Sequence, residues 1–305
     1  MSGKPALSFA EALESRAFAV EATLARLLDG RLLGGEIARP ARLLDAMRHG
    51  VLTGGKRLRP FLVMESAALF DADGEAALRV AAALECVHCY SLIHDDLPSM
   101  DNDDVRRGHP TVHRAFDEAT AVLAGDGLLT YAFDILADEA TALPAPARLE
   151  LVLGLSRAAG IGGMVGGQML DLDAAHNRPD EGGIVTLQAM KTGALIRFAC
   201  EAGAIFGKAQ PGDRERIAEF GSAVGLAFQL ADDLLDITSD ASVMGKATGK
   251  DAAAGKATLP ALYGADWTRR QLAGLVGRSH ELLEPFGDDA ATLKAAATFI
   301  AERKS

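Results

Sequence analysis

Six aspartates in two clusters carry the clearest chemistry in this 305-residue chain. The first cluster is Asp95, Asp96 and Asp101 within DDLPSMDNDDVRRG, followed by Asp103, Asp104, Arg106 and Arg107. The second is Asp232, Asp233 and Asp236 within FQLADDLLD. On a helix, spacings of three and four bring side chains to one face, so the second cluster forms a stripe that Gln229 extends one turn back. Asp95 and Asp101 are six apart, which an ideal helix does not align. Pro98 and the Leu97–Met100 insertion are therefore expected to end or distort the helix and swing Asp101 back toward Asp95. Acidic runs are ordinarily solvated helix ends or loops. Here both clusters sit in apolar segments, SLIHDD and GLAFQLADDLLD, where uncompensated charge is costly to bury. Oxygen-only ligand sets suit hard cations, and Mg²⁺ takes carboxylates together with phosphate oxygens and water. The reading is a diphosphate site bridged by Mg²⁺, with Mn²⁺ as an alternative ion.

A basic counterpart precedes them. GGKRLRP at 54–60 puts Lys56, Arg57 and Arg59 after Gly54-Gly55 and before a helix that Pro60 opens. Backbone amides at a helix start, together with cations, bind phosphate without metal. Arg106 and Arg107 offer guanidiniums to both a metal-bound and a metal-free diphosphate. His88 lies seven residues before Asp95, on the same helical face about 10 Å away, where it can meet a second phosphate. Cys86 and Cys89 flank it, but without a second ligand pair they do not make a zinc site. MKTGALIRF places Lys191, Thr192 and Gly193 in mid-helix, where the glycine marks a kink that frees a backbone carbonyl. MGKATGKDAAAGKAT is a Gly/Lys loop whose Lys246, Lys250 and Lys256 can close over a bound diphosphate; a solvated loop is the plainer reading.

The elements that must position these groups are helical. Ala, Leu, Glu and Arg dominate long stretches and aromatic residues make up only 5%, which favours helices over sheet. Helices are expected at roughly 8–28, 38–49, 60–70, 75–97, 115–140, 146–175, 184–205, 212–238, 267–285 and 288–303. Segment 75–94 is apolar nearly all round, the pattern of a helix at the centre of a bundle. No linker, low-complexity tract or repeat interrupts the chain, so one all-α domain over 1–305 is expected.

Lys plus Arg total 31 against 42 Asp plus Glu, a formal charge of −11, which argues against nucleic acid as a partner. Cys86, Cys89 and Cys200 cannot all pair within one chain, so thiols are expected. Glu11 and Glu14 interrupt any signal-peptide core, and no later stretch is expected to approach about 18 apolar residues. The expectation is a cytoplasmic, soluble protein without membrane insertion.

With these motifs in hand, the sequence resembles the trans-isoprenyl diphosphate synthase (polyprenyl synthetase) family, most nearly its bacterial farnesyl diphosphate branch. GGKRLRP, ECVHCYSLIHDDLPSMDNDDVRRGHPTVH, GGMVGGQMLDLD, KTGALIRF, GLAFQLADDLLD and GKATGKDAAAGKAT follow in family order from about residue 25 to the end. The resemblance implies about ten core helices around a deep cavity, a homodimer, and isopentenyl and allylic diphosphates as substrates. It implies that Asp95, Asp96, Asp101, Asp232, Asp233 and Asp236 hold Mg²⁺ on the allylic diphosphate, which Arg106, Lys191 and Lys246 also grip, with Lys256 a further substrate-binding residue. It further implies that Lys56, Arg59, His88 and Arg107 bind isopentenyl diphosphate, that Thr192 and Gln229 line the reactive carbon, and that Gln168 and Asp171 belong to a further shared segment.

The implied reaction is head-to-tail prenyl transfer to the fifteen-carbon farnesyl product, with Lys191, Thr192, Gln229 and Arg106 closest to the chemistry. An aromatic residue at the position of Tyr90, beside Ser91, forms the pocket floor in the resembling enzymes. Tyr90 stands about 7.5 Å back from Asp95 along the helix but is rotated about 140° from it. The alternatives are a geranylgeranyl diphosphate synthase of the same family, a terpene cyclase, or a helical metal-binding scaffold. A cyclase has no second diphosphate to seat at GGKRLRP, and a scaffold needs no such turn.

Overall fold

In the computed structural model, which describes residues 8–174, 176–243 and 258–303, helix starts with a reciprocal cap. Ser8 Oγ accepts from the Glu11 amide while the Glu11 carboxylate accepts from the Ser8 amide, opening α1 (Phe9–Leu27). α2 (Ala41–Leu52) and α3 (Leu58–Leu69) follow. Asp73 then caps α4 (Gly74–Asp95), accepting from the Ala76 amide at 2.8 Å. A two-residue hairpin joins β1 (Val105–Arg106) to β2 (His109–Pro110), with Val105 opposite Pro110 and Arg106 opposite His109. Its loop, Arg107-Gly108, has φ +53° and +80°, the two left-handed residues of a type I′ turn. α5 (Val112–Ala115), α6 (Glu118–Ala137) and α7 (Ala145–Ala159) complete this half of the chain. Apart from that hairpin, no strand occurs among the described residues, and the all-α expectation holds.

Contacts divide the chain into two units: one runs to Ala68 and resumes over Ala72–Val152, and the other takes Leu69–Asp71 and everything from Leu153. In the first unit α4 is the hub, packed on α6, α2 and α1. Val80, Ala81, Ala82, Ala83, Leu84, Val87 and Cys89 are all fully buried, as an all-round apolar helix requires.

The expected 146–175 helix is broken at Gly160–Gly163 into α7 and α8 (Met164–Ala174). The expected 184–205 helix contains the irregularity that the mid-helix Gly193 suggested, but as a π-helical turn: α9 (Glu181–Gln188) widens into the turn Ala189–Gly193 before α10 (Ala194–Phe206). α11 (Pro211–Val243) is the hub of the second unit. α12 (Leu259–Tyr263), α13 (Ala265–Leu283), a 3₁₀ turn Glu284–Ala290 and α14 (Ala291–Glu302) pack after it. α8 lies directly on the π turn, and Gly167 makes this approach possible: a Cβ there would stand 2.2 Å from the Lys191 amide nitrogen.

The three cysteines are buried thiols, none of them in a disulfide. One sequence expectation is corrected. Gly74–Asp95, Glu118–Ala137 and Ala145–Ala174 are long and apolar enough, by length and composition, to cross a membrane. For α4 the reason is its burial inside the first unit, which calls for the same composition as a span.

Candidate active site

The first aspartate cluster is built on the end of α4. The helix stops at Asp95, and the chain folds back so that the Asp101 amide donates to the Asp95 carbonyl at 2.8 Å and the Asp103 amide to the Asp96 carbonyl at 3.2 Å. This is the return that the six-residue spacing called for. The two leading aspartates then part company. Asp96 is buried, and Arg106 of the hairpin claims its carboxylate: Nε lies 2.8 and 3.0 Å from its two oxygens and Nη2 2.6 Å from Oδ1. Burial pushes the Asp96 carboxyl up and the guanidinium beside it pulls the other way. Asp101 is exposed and Asp95 partly so.

The basic turn stands beside this cluster in the same unit. Gly54, Gly55 and Arg57 all have positive φ, and Arg57 turns inward. Its side chain is 0% exposed, with Nη1 2.7 Å from Glu85 and Nη2 3.0 Å from Glu21 and 2.6 Å from the Val51 carbonyl. Arg57, read from sequence as part of the phosphate surface, is therefore not on it: a buried carboxylate draws it into the core. Lys56 is exposed, and Arg59 Nη1 lies 3.4 Å from His88 Nε2. Burial, and then the Arg59 charge, hold the His88 imidazole well below its ordinary range, so the neutral ring accepts from the guanidinium. Arg107 reaches back and donates to the Gly54 carbonyl. The structure thus joins Arg59 to His88 of α4, Arg107 to the basic turn that carries Lys56, and Arg106 to Asp96 at the end of α4.

One turn back, Tyr90 is buried with its ring edge-on to His94 at 5.7 Å. Burial, and then the nearby Asp95 charge, push its hydroxyl up to about 12. Ser91 Oγ donates to the His88 carbonyl at 2.8 Å and so is tied to its own helix.

In the second unit the π turn and α11 carry the remaining groups. Thr192 Oγ donates to Gln229 Oε1 at 3.0 Å, Gln229 Nε2 donates to Asp233 at 2.8 Å, and Gln188 Nε2 donates to the other Asp233 oxygen at 2.7 Å. Both Asp233 oxygens are therefore engaged within the protein, and burial pushes its carboxyl up to about 6 against the pull of the two carboxamides. The predicted stripe is uneven: Asp233 faces the core, Asp236 is exposed, and Asp232 lies 2.5 Å from Arg303. Lys191 Nζ meets Asp171 at 2.5 Å, and both amide ends of Gln168 are buried without a partner. Lys246, Lys250 and Lys256 lie outside the described residues.

Sequence reasoning did not single out Gln188, Arg303, Glu21 or Glu85. Gln188 stands one turn before Lys191 and was open to discovery; a lone arginine near the chain end carries no pattern. Among the described residues, no three carboxylate, imidazole or thiol groups converge closely enough to enclose a cation unaided. The exposed aspartates are oxygen donors of the kind a hard cation takes together with phosphate.

Comparison with known proteins gives one consistent result. A model of the polyprenyl synthetase family matches residues 40–284. The chain is 42% identical over 270 residues to a farnesyl diphosphate synthase of Escherichia coli, covering 86% of this chain and 89% of that one. It is 40% identical over 272 residues to a chloroplastic geranylgeranyl pyrophosphate synthase of Arabidopsis thaliana, covering 88% and 76%. A crystal structure of an FPP/GFPP synthase from Zymomonas mobilis superposes with a TM-score of 0.84 at 44% identity, covering 95% of this chain and 97% of that one.

Proposed function

Because the chain belongs to the polyprenyl synthetase family, we propose that it condenses isopentenyl diphosphate head-to-tail with dimethylallyl and then geranyl diphosphate, giving farnesyl diphosphate and releasing diphosphate. The observation that carries this reading is the reach of the family match: residues 40–284 contain the basic turn, both aspartate clusters and the π turn.

The family uses a divalent metal, and Mg²⁺ is the ion proposed here, with Mn²⁺ as its substitute. Asp95, Asp101, Asp232 and Asp236 would hold it on the allylic diphosphate, whereas Asp96 and Asp233, engaged by Arg106 and by two carboxamides, hold their neighbours in place. When bound, the ion neutralises charge that develops on the leaving diphosphate. Lys191, Arg106, Lys246 and Lys256 add positive charge to the same group. The allylic C–O bond breaks with its electron pair leaving on diphosphate. The double bond of isopentenyl diphosphate, held by Lys56, Arg59, Arg107 and neutral His88, attacks the resulting cation, and a proton then passes to the departed diphosphate. Thr192 and Gln229 present oxygens toward the cation, and the apolar surroundings keep water from it.

The fifteen-carbon product rests on Tyr90, whose buried ring limits tail growth, with Ser91 beside it. One synthase domain over the chain, a cytoplasmic location and a homodimer belong to the same reading. Exposed apolar side chains in each unit, Val122, Leu123 and Leu149 in the first and Leu153, Ile161 and Val165 in the second, support the homodimer. Incubation with labelled isopentenyl and dimethylallyl diphosphates, followed by dephosphorylation and sizing of the alcohols, tests it. A fifteen-carbon alcohol is expected; cyclic hydrocarbon or no product refutes the reading.

A further inference from the structure

The end of α14 brings Arg303 onto the second aspartate cluster. Its Nη2 lies 2.5 Å from Asp232 Oδ1 and donates to the Phe228 carbonyl at 2.7 Å. Its guanidinium carbon sits over the Phe228 ring, 3.8 Å from the centroid. The Arg303 side chain is 9% exposed, whereas Asp232 is 44% exposed, and Arg303 Nε is buried without an acceptor. Ring and carbonyl together aim this guanidinium at the carboxylate. Asp232, Asp233 and Asp236 lie within five residues of one helix, and like charges at that spacing repel. A cation fixed at Asp232 relieves that repulsion when no metal is present.

Resting on the reading of Asp232 as a metal residue, we propose that Arg303 is a built-in counter-ion that occupies Asp232 in the metal-free protein and that a divalent cation must displace. Metal and guanidinium compete for the same carboxylate. The protein alone therefore holds a divalent cation weakly, and the cation gains its grip only when phosphate oxygens add to the ligand set.

The test titrates the full chain with Mn²⁺ alone, without substrate, and follows binding by electron paramagnetic resonance. Removing one charge-assisted contact predicts that Arg303→Met, which keeps an aliphatic stem over Phe228, raises Mn²⁺ affinity about tenfold. Arg303→Lys should stay near wild type, and Asp232→Asn should bind more weakly. In the unmodified protein, labelling of Arg303 by phenylglyoxal, read by mass spectrometry, should rise when Mn²⁺ saturates; this arm needs no variant to fold. Equal Mn²⁺ affinity in wild type and Arg303→Met, with Asp232→Asn weakened, or labelling unchanged by Mn²⁺, overturns the counter-ion role alone. Asp232→Asn binding Mn²⁺ as wild type does overturns the metal reading and the proposal with it, whereas no binding in any variant, Arg303→Met included, overturns the counter-ion role.

Discussion

Replacing Arg57 with Met should loosen the turn that seats Lys56 and Arg59, at a cost set by a buried ion pair. The Arg57 and Glu85 side chains are 0% and 2% exposed and 2.7 Å apart. Removing one partner of such a pair leaves the other charge uncompensated, typically at about 3–5 kcal/mol. The lost bond to the Val51 carbonyl adds about 1 kcal/mol, while the methionine stem fills most of the vacated space. A net loss of about 4 kcal/mol corresponds to a melting temperature lower by roughly 8–16 °C for a folding unit of 150–250 residues. Arg57 is also held at φ +50°, a conformation that persists only where surroundings enforce it. Its relaxation should displace both neighbours and raise the KM for isopentenyl diphosphate about tenfold or more, with the allylic KM little changed.

Thermal unfolding and two-substrate kinetics on Arg57→Met, Glu85→Met and the double variant decide this. Replacing both charges with apolar groups is often near neutral, so the double variant should recover much of the lost stability. Arg57→Met within about 1 kcal/mol of wild type, or a double variant less stable than either single, would refute the anchoring argument. An equal rise in both KM values would refute its local character.

Lys56→Ala and Arg59→Ala should weaken isopentenyl diphosphate far more than the allylic substrate, since the proposed site for it relies on direct charge-assisted contacts; equal losses in titrations would remove the two-site assignment. Tyr90→Ala should shift product from fifteen carbons to twenty or more, because overfilling a packed pocket costs about 1–3 kcal/mol, and chromatography of dephosphorylated products would show an unchanged profile if the floor lies elsewhere. Asp95→Ala should abolish condensation while metal-free thermal stability holds or rises, as one like charge is removed; near-normal turnover at saturating Mg²⁺ would refute it. His88 is held neutral in the fold, so the unfolded chain takes up the extra proton and stability is lost as pH falls below about 6.5. The slope reaches at most about 1.4 kcal/mol per pH unit, reduced by the solvent that reaches the ring's edge. Unfolding of wild type and His88→Gln at pH 7.5 and 5.5 should show the smaller loss in the variant, and equal losses would contradict the sign.

Helix content, the central place of α4 and the two aspartate clusters were legible in the sequence because each rests on local spacing. Apolar residues all round 75–94 require burial wherever that helix goes, and Asp95 to Asp101 across Pro98 requires a bend in any fold. Side-chain partners across elements were not legible. Nothing in GGKRLRP distinguishes Arg57 from Lys56 and Arg59; Glu85, 28 residues further on, draws Arg57 alone into the core. Nothing in ADDLLD separates Asp232 from Asp233; Gln188 and Gln229 bury one, and Arg303, more than 70 residues on, meets the other. Sequence alone thus determined the residue types that a metal-and-diphosphate reading calls for and the segments on which they lie. Tertiary structure decided which of those charges remain at the surface and which are spent inside the protein, because burying a charge is tolerable only where distant segments supply its partner.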